Sequence, residues 1–170
     1  MPIDLTTDHS AYNPAEVTAV LRRCNNCPRA ISSGMGGGIK RVAGSLAVTR
    51  ALGDAYLKTP QLSFFPYKTH SPYITARPEV NCRHIVKGEG GDKVVVLATD
   101  GVWERAGGED ILRWARTRNS TVAEVIVNRV LNKVRRARNI KSLHALMSLP
   151  PGRARRSKHD DITASVVDLS

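Results

Sequence analysis

Val94-Val95-Val96-Leu97-Ala98-Thr99-Asp100-Gly101 and His159-Asp160-Asp161 are the two stretches of this sequence best suited to chemistry. In the first, a continuous apolar run predicts a strand covered on both faces that delivers Asp100 at its end, with Gly101 permitting a tight exit. In the second, two adjacent carboxylates stand just before another apolar stretch. Such a pair repels itself and is tolerated through solvation or a nearby cation. Carboxylate oxygens at the ends of rigid strands are hard ligands of the kind Mg²⁺ or Mn²⁺ takes. Aspartate is also a frequent turn residue, so spacing alone leaves metal binding and turn-making both open.

Other reactive side chains carry weaker signals. Cys24-Asn25-Asn26-Cys27 is a lone CxxC at a predicted helix end; a zinc site needs two further ligands, so it reads as a pair of surface thiols. His9 follows Asp8 and reads as a turn or packing residue rather than a general acid, and His70, His84 and His144 have no ligand-like spacing. Gly34, Gly36, Gly37 and Gly38 mark a sharply turned or mobile surface loop. The third position of a dinucleotide fingerprint is occupied by Ile39, and no Gly-Lys-Ser/Thr follows, which excludes a P-loop.

Several elements are needed to hold the two carboxylate stretches. Residues 2–7 read as a short strand. Asn13-Pro14-Ala15-Glu16 predicts a helix start, with Asn13 as cap, Pro14 at the first helical position and Glu16 completing a capping box. Val17, Val20, Leu21 and Cys24 continue that helix toward Pro28. Residues 41–58 mix apolar positions with Gly44 and Gly53 and hold a short helical turn at most, and a Pro- and aromatic-rich loop follows. Strands are predicted at 79–86 and 93–99, helices at 109–118 and 121–138, and a last strand at 162–169. In the second of these helices Thr121 and Glu124 form a capping box, and Val122, Val125, Ile126, Val130 and Val134 make the buried stripe. Trp103 and Trp114 lie beside apolar positions and are assigned to the core.

Composition limits the classes further. The 170 residues are 41% hydrophobic and 24% charged, enough for one domain with a real core. No apolar run approaches a membrane span, and the N-terminal residues lack the pattern of a secretory signal. Three cysteines fit reduced thiols in an intracellular, non-secreted protein, with no membrane partner expected. The formal charge of +11 is concentrated: residues 125–159 hold ten basic residues and no acidic one, while the remainder has 16 basic against 15 acidic. That segment is a solvated face or a docking site for an acidic or phosphorylated partner. Nucleic acid is disfavoured, because no aromatic residues interleave with the arginines.

Four ordered motifs then add a resemblance: RVAGSLAVTRALGDAYLK at 41–58, PYITARPEV at 72–80, VVVLATDGVWE at 94–104 and HDDITASVVDL at 159–169. Together with LTTDHSAYNPAEV near the start, they resemble the C-terminal portion of the metal-dependent Ser/Thr protein phosphatases of type 2C, nearest the branch with pyruvate dehydrogenase phosphatases and plant enzymes. The resemblance implies an α+β fold, the C-terminal part of an α/β sandwich of two antiparallel sheets flanked by helices, so that residues 1–170 form a partial phosphatase domain. It implies a phosphoprotein substrate, with phosphate removed from phosphoserine or phosphothreonine by water activated at a binuclear Mg²⁺ or Mn²⁺ centre. By position, Asp100 and Asp160 match metal ligands. Glu104 matches an acidic position supporting a third metal, and Asp161, where many relatives carry Asn, is expected to support the ligands rather than bind. The glycine-rich stretch and residues 41–53 fall where the family has its flap. The family's first-half acidic pair, Asp-Gly-His motif, phosphate-binding Arg and Gly-Asp-Ser segment have no counterpart among these residues. Activity of this chain alone is therefore not expected, and a non-catalytic phosphoprotein-binding module is the alternative.

Overall fold

The structure, a computed structural model, describes residues 1–33, 38–116 and 121–169. Gly34, Gly36 and Gly37 of the glycine loop, and the end of the helix expected to reach 118, lie outside the described residues. The chain divides into two compact units, Leu5–Cys82 and a second made of Met1–Asp4 with Arg83–Ser170.

In the Leu5–Cys82 unit, helix α1 spans Pro14–Arg23. Its start is as the sequence dictates: Asn13 caps by accepting the Ala15 N–H at 3.0 Å, and Pro14 occupies the first turn, where a missing N–H costs nothing. Glu16 does not complete a capping box. Its carboxylate turns into the unit and bonds Thr49 and Arg50 instead. Beyond α1, Asn25 and Asn26 take positive φ and fold the chain back, so that Cys24 and Cys27 are buried with Val20, Ala30, Val42, Leu57, Tyr73 and Ile74. The expectation of surface thiols is thus corrected; of the three cysteines Cys82 alone is exposed. A two-residue ladder pairs β1 (Ile31–Ser32) with β2 (Arg41–Val42), and single 3-10 turns follow at Ala55–Leu57 and Pro60–Leu62. The aromatic-rich loop is held by its own rings: Tyr67 lies 5.3–6.5 Å, centroid to centroid, from Tyr56, Phe64 and Tyr73.

The second unit is built on β3 (Val94–Ala98) and β4 (Ala164–Asp168), antiparallel with Val94 opposite Asp168, Val96 opposite Val166 and Ala98 opposite Ala164. Between them come α2 (Asp100–Trp103), α3 (Gly108–Ala115), α4 (Val122–Ala137), α5 (Leu143–Met147) and α6 (Arg153–Arg156). The α4 stripe forms as its periodicity requires: Ile126 and Val130 are fully buried against Val96, Ala98, Ala164 and Val166 on one sheet face. Its second expected feature is absent, because the Thr121 side chain makes no capping bond.

The other sheet face is uncovered. Leu97 is 58% exposed and Val167 50%, so β3 is not a strand covered on both sides. Residues 79–86 form no strand, and neither do residues 2–7. A strand needs a ladder partner, and these segments have none among the described residues. The 83–92 segment is fixed otherwise, by the Asp92 carboxylate accepting from the Val86 N–H and from Arg83, each at 3.0 Å. Trp114 is buried as expected, whereas Trp103 is 44% exposed because the single turn of α2 lays its indole over the strand end, N–H to the Ala98 carbonyl at 2.9 Å. The architecture is a mixed helix and strand fold with two small antiparallel sheets.

Candidate functional site

Thr99 ties the carboxylate ends of β3 and β4 together. Its N–H donates to the Thr163 carbonyl at 3.1 Å, its hydroxyl donates to the Asp161 carbonyl at 2.9 Å, and the same oxygen accepts the Thr163 N–H at 3.0 Å. Gly101, buried directly after Asp100, lets the segment come this close. A Cβ there would overlap the backbone carbonyl of Asp161. This close approach of backbones, more than a special φ, is what the glycine supplies. Asp100 opens α2, and the Glu104 N–H donates to its carbonyl at 2.8 Å, placing Glu104 one turn later on the same helix face.

On the β4 side, the Asp161 N–H donates to one Asp160 carboxylate oxygen at 2.8 Å, and His159 Nδ1–H donates to the Asp160 carbonyl at 2.6 Å. These bonds fix Asp160, and among the described residues its second oxygen has no hydrogen-bond partner. Asp100, Glu104, Asp160 and Asp161 are all exposed, and among the described residues none of them is in an ion pair. The structure thus brings the backbones of the four sequence-predicted residues to one end of the β3–β4 pair. It does not gather three or more His, Cys, Asp or Glu side chains into a metal-sized cluster among the described residues. The donor set is of the right kind for a hard divalent cation, since it consists of open carboxylate oxygens with no competing basic partner. Asp100 and Asp160 by themselves would be too few to neutralise and fix two such ions.

A second charged centre, in the Leu5–Cys82 unit, escaped the sequence reading. Glu16 is 5% exposed. Arg50 donates to it through Nη2 at 2.5 Å and Nε at 3.3 Å, and the Thr49 hydroxyl donates to it as well. The Arg50 bond holds its carboxyl down to about 2, against a burial cost that pushes the other way. His9 stands between two acids, Nδ1 at 3.4 Å from Glu16 and Nε2 at 3.5 Å from Glu79. The first distance is not a well-directed hydrogen bond, and buried Nδ1 has no other partner. The signal was in the spacing: Glu16, Val20 and Cys24 recur every four residues on the buried stripe of α1. This unit also holds a cavity of about 310 Å³ whose lining includes Cys27, Arg29, Phe65, Tyr67, His70 and Tyr73 and no carboxylate.

Comparison with known proteins gives consistent matches. The family described as Protein phosphatase 2C matches residues 2–142, a span that contains Asp100 and Glu104 and stops short of Asp160. The rice protein named "Probable protein phosphatase 2C 61" is 35% identical over 146 residues, covering 78% of this chain and 37% of the relative. Rice "Protein phosphatase 2C 35" is 31% identical over 179 residues, covering 98% of this chain and 26% of the relative. The chain therefore spans roughly a quarter to two-fifths of the length of these curated relatives. Among solved structures, the serine-threonine phosphatase 2C of Toxoplasma gondii superposes with a TM-score of 0.57 at 18% identity, over 95% of this chain and 45% of that one. A C. elegans sex determining protein superposes with a TM-score of 0.55 at 21% identity, over 98% of this chain and 32% of that one. At these identities the superpositions speak for the fold.

Proposed function

The chain belongs to the protein phosphatase 2C family, and from that premise we propose that it supplies the C-terminal share of a phosphatase domain acting on phosphoserine and phosphothreonine in proteins. The observation that carries the reading is the Thr99–Gly101 junction, which joins the chain just after β3 to the chain just before β4, next to Asp100 and Asp160. In this reading Asp100 and Asp160 are ligands for Mg²⁺ or Mn²⁺, two ions per complete site. Glu104 adds acidic charge one helical turn away, and Asp161 orients Asp160 through its N–H. Bound there, the cation supplies charge neutralisation for phosphoryl oxygens and a more acidic water. The remaining ligands come from residues outside this sequence, since it contains no Asp-Gly-His segment. Free Cys24, Cys27 and Cys82 fit an intracellular setting. A second reading, a phosphoprotein-binding module without turnover, is favoured by one observation, the lack of a three-ligand cluster among the described residues.

The test is Mn²⁺-dependent hydrolysis of a phosphothreonine peptide by two proteins: these 170 residues alone, and the same residues joined to the first half of a plant relative's domain. We expect no turnover from the first. We expect chelator-sensitive turnover from the second, lowered by orders of magnitude in Asp100→Asn and Asp160→Asn. Turnover by the 170 residues alone would overturn the ligand count. A completed domain that binds the peptide without hydrolysing it would favour the binding module.

A further inference from the structure

Eight of the ten basic residues of segment 125–159 fall into two groups in the structure. One group is committed to the fold. Lys133 pairs with Asp110 at 2.6 Å and lies 5.2 Å from the Trp114 ring centre. Arg135 donates to the carbonyls of Ile140 and Lys141, and Arg155 to those of Met147 and Leu149. Arg138 donates to the Lys158 carbonyl at 3.3 Å. These guanidiniums staple the irregular chain between α4 and β4, where backbone carbonyls lack a ladder.

The other group has no such task. Arg136, Lys141, Arg153 and Arg156 are exposed, and among the described residues their side chains have no ion pair or hydrogen bond. Arg153 and Arg156, three apart on α6, share one helix face, while Arg155 turns inward. Arg138 fastens the end of α4 to Lys158, two residues before Asp160. The four uncommitted cations all lie on the stretch of sequence that leads from α4 to Asp160.

We propose that Arg136, Lys141, Arg153 and Arg156 form a docking surface for an acidic or multiply phosphorylated segment of the protein substrate, beside the phosphorylated residue. This rests on the phosphatase reading above and narrows its substrate class. Planar guanidiniums with all donors free match carboxylate and phosphate oxygens in pairs. Residues 125–159 contain no Phe, Tyr or Trp on which a nucleic acid base would stack. Met147, 57% exposed, is the one exposed large apolar side chain among them, too little to seat the segment in a lipid interface.

The test measures binding rather than turnover, so that it stands or falls separately from catalysis. A fluorescein-labelled peptide carrying three phosphoserines among glutamates is titrated with the 170-residue chain and followed by anisotropy. Three further probes run beside it: the same peptide without phosphate and with Gln for Glu, a single-stranded RNA of equal charge, and phosphatidylserine vesicles. Arg136→Ser/Arg153→Ser/Arg156→Ser is expected to weaken phosphopeptide binding at least tenfold and to flatten its salt dependence. Arg22→Ser/Arg29→Ser/Arg77→Ser, which removes equal charge from the other unit, should change it less than twofold. The pair Arg153→Glu/Arg156→Glu, on a four-residue helix with both side chains in solvent, gives a second reading should the triple variant lose its circular dichroism signal. Equal losses from the two triple variants would overturn the proposal in favour of diffuse charge. Tighter binding of RNA or vesicles than of phosphopeptide would overturn it as well. Intact docking in an inactive completed domain would instead count against the phosphatase reading alone.

Discussion

Glu16 is an acid on the apolar stripe of a helix, where an unpaired carboxylate would cost several kcal/mol. Arg50 and Thr49 remove that cost, and Arg50 in particular holds the carboxyl down to about 2 from an ordinary 4.5. A carboxylate with a depressed folded-state value stabilises the fold above its unfolded value. That contribution fades as pH falls from about 4.5 through about 2. Glu16→Gln should therefore lower stability at pH 7 by on the order of 2–3 kcal/mol, with the two proteins converging as pH falls to about 2, as read by thermal unfolding across pH. An unchanged difference at low pH would mean the residue acts by packing alone. At the candidate site, Asp161 contributes through its backbone: its N–H holds Asp160 and its carbonyl accepts from Thr99. Asp161→Asn keeps both bonds, so it should leave Mn²⁺-dependent turnover of a completed domain within a few-fold, whereas Asp160→Asn should abolish it. At this scale the sequence exposed Asp100 and Asp160, because a strand-Asp-Gly pattern and an acidic pair are local signals. Glu16 was hidden, because its partners Thr49 and Arg50 lie more than thirty residues away.

Elements with a strong internal period were readable. Helix α4 formed within a residue of its expected bounds, and β3 and β4 within two of theirs. Helices α5 and α6 were not expected: they span five and four residues, too short to show a period. The strands expected at 2–7 and 79–86 failed for a different reason, since β-propensity has no effect without a neighbouring strand. The same consideration governs β3, whose Leu97 side faces solvent together with Val167 on β4. An uncovered apolar face on a two-stranded sheet is an association site. Leu97→Thr/Val167→Thr should then shift the isolated chain toward monomer in sedimentation velocity; a parent protein that is already monomeric would contradict this. Gly101 tests the junction itself. Gly101→Ala forces the Asp161 backbone away, so a completed domain should lose metal affinity at least tenfold with both aspartates still present. An alanine variant titrating with Mn²⁺ like the parent would show that the close approach is not needed.

For the whole molecule, no helix among the described residues is long and apolar enough to cross a membrane, and the basic excess is confined to one segment. The sequence could not show which of those cations are spent on carbonyl groups. Arg135 and Arg155 look the same as Arg136 and Arg156 in the primary structure, and the backbone course between α4 and β4 alone separates them. The ligand count likewise belongs to this scale, because no group of three or more potential metal ligands gathers at the β3–β4 end among the described residues. The central claim is that Asp100 and Asp160 hold a divalent cation, and the most direct measurement is Mn²⁺ titration of the ¹⁵N-labelled chain followed by paramagnetic broadening of its amide signals. The account predicts that residues 99–102 and 159–162 broaden first, that Asp161→Asn behaves like the parent, and that Asp100→Asn and Asp160→Asn each abolish the effect. Broadening that begins around Glu16 and Glu79, or that persists unchanged in both aspartate variants, would contradict it.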